Sequence, residues 1–238
     1  MLEEKPQTFI PGLLEFRQLA EKATPRFEFN EDDYYPCIND NTPNTNFDRH
    51  YVYFPAWAAR IVRDIAPSTH TDISSTLHFC SILSAFIPVA FYDYRPANLI
   101  LDNLTSGKAD LLALDFESDS ISSLSCMHTV EHVGLGRYGD QLDYDGDVKA
   151  IAELSRVLAP GGNLLFVTPV GAVARIQFNA HRIYTRKLVT EMFGKHGLTL
   201  KEYALIPEDE KDGGCVVSPS AELESRQRYA CGCFWFTK

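Results

Sequence analysis

Residues 153–171 read ELSRVLAPGGNLLFVTPVG. Ile151, Leu154 and Leu158 fall at i, i+3 and i+7, one apolar stripe of a helix, and Pro160-Gly161-Gly162 marks its end because proline cannot continue the ladder and glycine accepts a left-handed cap. NLLFVT (163–168) is then an almost unbroken apolar run of strand length, the pattern of a strand covered on both faces. Helix, tight turn and doubly covered strand form one half of a repeating α/β unit.

The same alternation extends upstream. AWAARIVRDI places Trp57, Ile61 and Ile65 on one helical face, closed by Pro67. Thr71–Ser74 reads as a short strand, and Ser75 or Thr76 as the cap of a helix with Phe79, Ile82, Leu83 and Phe86 on one stripe. PVAFYD (88–93) is the next strand, PANLILDNL (96–104) a short helix opened by Pro96, LLALDF (111–116) a third strand and ISSLSCMH (121–128) a fourth.

Downstream, Thr185 caps RKLVTEMFGKH, in which Leu188/Met192 and Val189/Phe193 are i, i+4 pairs and Gly197 supplies the C-terminal cap. LTLKEYALI (198–206) and YACGCFWFTK (229–238) are expected to pair antiparallel at the sheet edge. The predicted fold is α/β: a three-layer, Rossmann-like, seven-stranded and mostly parallel sheet with an antiparallel last strand. Residues 1–55 are expected to form an irregular N-terminal arm packing on the core, and 56–238 the core domain. Within the arm, residues 24–50 combine Pro, Asn and Asp with aromatic rings.

Composition narrows the function. The 22 basic and 32 acidic side chains of the 238 residues leave a net charge of -10, which repels phosphodiester backbones and argues against nucleic-acid binding. No stretch has the ~20 apolar residues of a membrane span, and MLEEKPQTFIPGLLEF lacks the basic start and apolar run of a secretory signal, so a cytoplasmic protein is expected. The six cysteines show neither a CxxC pair nor zinc-ligand spacing; reduced thiols and no metal are expected.

In open parallel sheets ligands sit beyond the carboxyl ends of the strands. Asp72, Ser74 and Ser75 close the first strand, Asp93 and Tyr94 the second, Asp115 and Phe116 the third, and His128 the fourth. Asp93 follows Asp72 at the interval at which dinucleotide-type folds present an acid to a ribose, and Asp115-Phe116 would offer a polar contact and a ring face to an adenine. GLGRYGDQLDYDGD then reads as a flexible, acceptor-binding lid with Arg137, Tyr138 and Asp140 as ligands. FNAHRIYT adds Asn179, His181 and Arg182 near the same opening, with an Arg182–acid clamp as the structural alternative. Arg49, His50 and Tyr51 are candidates to cover it. His132 and His181 are the candidate general bases, since imidazole titrates near ~6.5.

In this order the motifs resemble class I S-adenosylmethionine-dependent methyltransferases over roughly residues 56–238, chiefly through ELSRVLAPGGNLLFVTPVG and TVEHV. DISSTLHF, FYDYRP, EHVGLGRYGD and FNAHRIYT further resemble a little-characterised branch of methyltransferase-like proteins associated with cell-surface polysaccharide genes. Where that family carries glycines after the first strand, this chain has DISSTLHF. The resemblance implies S-adenosylmethionine as cofactor and a saccharide or sugar-nucleotide hydroxyl as acceptor. Two alternatives are a binding or scaffold protein that kept the fold but lost the donor site, and a nucleotide-dependent oxidoreductase, which the absent GxGxxG disfavours.

Overall fold

A computed structural model describes residues 9–238. The first eight residues of the expected arm, including the start of the stretch read for a targeting signal, lie outside them. The chain divides after Phe47 into two compact units. The first carries helix α1 (Phe9–Glu21), which has no buried residue. Its Arg17 guanidinium donates to the Tyr34 hydroxyl at 2.7 Å and the Glu31 carboxylate at 2.5 Å, and the Phe16 and Phe29 rings meet edge-on at 5.3 Å.

In the second unit the Asp48 carboxylate accepts from the Tyr51 N–H and caps α2 (Arg49–Ile65). RHYVYFP (49–55), read as the end of an irregular arm, is therefore helical. The chain continues through β1 (His70–Ile73), α3 (Leu77–Leu83), β2 (Val89–Asp93), β3 (Leu104–Lys108), β4 (Ile121–Met127), α4 (Gly146–Val157) and β5 (Leu158–Val170). It ends through the hairpin β6 (Arg175–Gln177) and β7 (His181–Ile183), α5 (Arg186–Gly194), β8 (Thr199–Ile206), β9 (Val216–Val217), α6 (Ala221–Ser225) and β10 (Ala230–Thr237).

The main sheet has the order β3-β2-β1-β4-β5-β10-β8-β9. β3 to β5 pair in parallel, and β10 runs antiparallel to both β5 and β8. β10 is thus interior rather than at the edge, which explains why ACGCFWFT is buried along nearly its whole length. The side-chain alternation of β5 sends Leu164 and Phe166 into a core with α4 and α5, and Leu165 and Val167 into a second core with α2 and α3. Helices cover both faces, giving the three predicted layers.

Several expectations need correction. The third strand is LTSGK (104–108), not LLALDF (111–116). The backbone of the latter is tied to α4: Leu114 N–H donates to Glu153 at 2.8 Å, and Arg156 donates to the carbonyls of Leu114 and Phe116 at 2.8 Å. Asp110 further closes a turn by accepting from Leu112 N–H at 2.9 Å. PANLILDNL forms no helix. α4 stops at Val157, so Leu158 begins the strand instead of completing the helical stripe, and Gly161 takes the left-handed turn at φ +74°. On α3, Phe79, Cys80 and Leu83 are buried, but Ile82 and the following Phe86 face solvent.

Candidate functional site

The strand order reverses at β1, where the chain has filled one side with β2 and β3 and then crosses to β4 on the other. That crevice is where this class of sheet binds ligands. A cavity of about 450 Å³ opens there, within the usual range for a small-molecule site. A second cavity of about 600 Å³ lies along α5 and α6, beside the end of β5 at Gly171 and Ala172.

The first wall is built from turns. Ser74, where the resemblance expects glycine, sits at φ +59° in the left-handed region that glycine favours. Its N–H and hydroxyl both donate to the Tyr92 carbonyl, at 2.7 and 3.3 Å, and its own carbonyl accepts from the Thr129 hydroxyl at 2.7 Å. The Ser75 hydroxyl accepts from Met127 N–H at 3.0 Å. The Ser74 hydroxyl donates to β2 and the Ser75 hydroxyl accepts from β4, so the serines hold the turn between the two strands.

Asp72 lies beneath this turn rather than on the cavity wall. Fully buried, it accepts from Ser75 N–H at 3.0 Å and from the Ser125 hydroxyl. Burial pushes its carboxyl up to about 6 despite these bonds. The Ser125 hydroxyl also meets Nε2 of His70 at 2.9 Å, and Ser123 meets Nδ1 at 2.7 Å; burial lowers His70 to about 4.

Asp93 and Tyr94 line the cavity as expected. Oδ1 of Asp93 accepts from Arg95 N–H at 2.7 Å, so Oδ2 carries the remaining acceptor capacity. The third-strand acid does not: Asp115 is exposed, and Phe116 packs edge-on against Tyr92 at 5.0 Å. Because the strand ends at Lys108, Asp110, Leu111 and Leu112 take the wall position instead. GKADLL, and not the end of LLALDF, carries the acid that reaches the wall.

The second wall centres on Glu131, fully buried just past β4. Nδ1 of His128 lies 2.8 Å from its Oε1, and Nε2 of His132 lies 3.9 Å from the same oxygen. His128 has φ +57° and stacks against His50 at 5.2 Å and Tyr51 at 5.5 Å. Nδ1 of His132 is 2.7 Å from the Ala180 carbonyl, which can only accept; Nδ1 therefore carries the proton and Nε2 the lone pair. Burial lowers the pKa of His132, with Glu131 opposing. His128, His132, Tyr138 and Asp140 all line the cavity.

His181 does not reach the lining. Its Nε2 lies 2.6 Å from Gln177 Oε1, and its ring stacks on Tyr229 at 4.9 Å and meets His132 at 6.3 Å; burial lowers its pKa. Asn179 is exposed in the turn between β6 and β7. Arg182 is buried and donates to the Val133 carbonyl at 2.6 Å and that of Tyr144 at 3.0 Å, with Asp147 at 3.5 Å, so it is the structural clamp and not a cavity residue. Arg137 is exposed and donates to the Ala180 carbonyl at 3.1 Å. Asp140 holds the expected flexible lid in place. Burial would raise its carboxyl, but N–H groups of Tyr138, Gly134 and Gly136 prevail and lower it. Gly134 is required: a Cβ there would lie 2.1 Å from the Asp143 carbonyl oxygen.

A match to the family described as Caenorhabditis protein of unknown function, DUF268, covers residues 112–202. No curated protein matches the chain. Among solved structures, a TehB-like S-adenosylmethionine-dependent methyltransferase from Corynebacterium glutamicum superposes with a TM-score of 0.52 at 16% identity, over 96% of both chains. The 1,6-didemethyltoxoflavin-N1-methyltransferase of Burkholderia thailandensis, solved with 1,6-didemethyltoxoflavin and S-adenosylhomocysteine, gives 0.54 at 12% identity over 78% of this chain and 79% of that one. A Mesorhizobium loti S-adenosylmethionine-dependent methyltransferase gives 0.50 at 14% identity over 77% and 100%. The fold is that of these methyltransferases. Among the described residues, no helix is long and apolar enough to cross a membrane.

Proposed function

We propose that the chain transfers a methyl group from S-adenosylmethionine to a hydroxyl of a small polar acceptor, a saccharide or sugar nucleotide. The observation carrying this reading is the left-handed Ser74 turn, which shares with Asp93 a cavity at the switch point of the sheet. The serine hydroxyls bond back onto β2 and β4 instead of filling that cavity. This favours a retained donor site over a scaffold that has lost it.

The wall fits the donor by chemistry. Oδ2 of Asp93 is available to vicinal ribose hydroxyls, Leu111, Leu112 and the Tyr94 ring offer faces to an adenine, and the Ser74–Ser75 turn lies where a methionine tail would meet backbone. The bound cofactor supplies an electrophilic methyl on a sulfonium, so positioning provides most of the acceleration and a base is needed only for the hydroxyl proton.

His132 is the base in this reading. Burial keeps its imidazole neutral near pH 7, Nδ1–H is held by the Ala180 carbonyl, and Nε2 takes the proton while nearby Glu131 stabilises the resulting imidazolium. Tyr51, Tyr138 and His132 present ring faces suited to a sugar. The Arg95 guanidinium, 4.7 Å from the Tyr138 ring centroid, offers a planar fork to a sugar-nucleotide phosphate. Methyl-labelled donor incubated with a panel of free saccharides, sugar nucleotides and amines tests the acceptor class. Label on a sugar hydroxyl is expected; label only on amines would overturn the saccharide assignment.

A further inference from the structure

His50 on the first turn of α2, His128 just beyond β4 and Cys231 in β10 converge so that one ligand atom from each lies within 4.8 Å of the others. These residues are far apart in sequence and form no spacing motif, which is why the cysteine count suggested no metal. We propose that they form a binding site for a zinc-type divalent cation beside the cavity, behind His128.

The orientation of His128 carries the argument. Both it and Glu131 are buried, and Nδ1–H donates to the Glu131 carboxylate at 2.8 Å, leaving the lone pair on Nε2. That Nε2 has no hydrogen-bond partner among the described residues. An orphaned buried nitrogen costs about 1–3 kcal/mol, whereas a coordinated cation would satisfy it. A carboxylate fixing one imidazole nitrogen so that the other faces a metal is the recurrent outer shell of zinc sites.

Two imidazole nitrogens and one thiolate suit zinc and exclude the oxygen-seeking magnesium and calcium. Zinc bonds of about 2.0–2.3 Å require the three atoms to close to roughly 3.3–3.7 Å. His50 is the residue free to make that adjustment: it is only partly buried and its ring rests by stacking on His128 and Tyr229. On binding, the Cys231 thiol loses its proton to solvent. The dication, the thiolate and the Glu131 carboxylate then sum to zero charge. Three protein ligands leave a fourth position for water or a ligand oxygen, and of the three only His128 also lines the cavity.

The test needs neither methyl donor nor acceptor, so it stands apart from the methyl-transfer reading. The full chain carrying Cys37→Ser, which removes an exposed thiol, is stripped with a chelator and titrated with Co²⁺ followed by Zn²⁺. One equivalent is expected, with a thiolate-to-cobalt charge-transfer band and tetrahedral visible bands that Zn²⁺ abolishes. Cys231→Ser should remove the charge-transfer band, His50→Ala should weaken uptake at least tenfold, and Glu131→Gln should weaken it roughly 10–100-fold. A folded parent chain that gives no thiolate band, or the same band and affinity in Cys231→Ser and His50→Ala, overturns the site. The parent spectrum decides even if a variant does not fold.

Discussion

On the β1–β2–β3 side of the cavity, polar contacts come from backbone turns and the carboxylates of Asp93 and Asp110; on the β4–β10 side they come from imidazoles gathered around Glu131. The first wall is locally encoded, since each of its groups follows the end of its own strand. The second is assembled from α2, the β4 loop and the β6–β7 hairpin. Local geometry is set by backbone shape, and Ser74 adopts the left-handed conformation that glycine favours. An assembled cluster depends on every contributor and can hold charge states that no single segment would favour.

If the two walls divide the work between donor and acceptor, variants should separate. His132→Ala is expected to slow single-turnover methyl transfer by about 10²–10⁴-fold while S-adenosylhomocysteine affinity stays unchanged. A parallel loss of affinity would show that the walls are not independent.

Beneath the first wall, His70 and Asp72 should give opposite pH dependences. His70 is held near 4 against an ordinary value of 6.5, so its contribution to stability is full above 6.5 and is lost as pH falls toward 4. Asp72 is raised to about 6 from 3.8, so its contribution is full below 3.8 and is lost as pH rises through 6. His70→Asn removes only the first. Relative to the parent, it should gain up to about 3 kcal/mol as pH drops from 6.5 to 4, read by urea unfolding at several pH values. Parallel curves would remove His70 from this account.

Asp93→Ala should weaken S-adenosylhomocysteine by more than tenfold, about 1.4 kcal/mol, without altering the His132 environment seen by NMR titration. Ser74→Gly should have the smallest effect. It relieves a left-handed non-glycine residue but forfeits the hydroxyl bond to Tyr92, so stability should change by less than about 1 kcal/mol with donor affinity retained. A large loss in donor affinity would mean that the side chain, not the turn, holds the ligand.

These contrasts also explain what the sequence made legible. Apolar runs such as NLLFVT and ISSLSCM announce buried strands because both faces are covered. LTSGK does not, since it is a short polar edge strand, while the equally apolar LLALDF is diverted by Glu153 and Arg156. With that exchange the acid on the cavity wall is Asp110 and not the expected Asp115. Ser74, Asp93, His128 and His132 could be found from strand ends. His50 is legible only as a residue covering the opening, and Glu131 and Cys231 not at all, because their proximity to His128 arises only when distant elements meet. Arg182 was visible as a charge, but only packing reveals that it clamps the Val133–Tyr144 loop.

Calorimetric titration of the full chain with S-adenosylhomocysteine tests the central claim most directly, because it asks whether a turn built on Ser74 instead of glycine still receives the donor. Saturable one-to-one heat that falls by more than tenfold in affinity with Asp93→Ala is the predicted result. Absence of heat and of any thermal shift at millimolar ligand would contradict it.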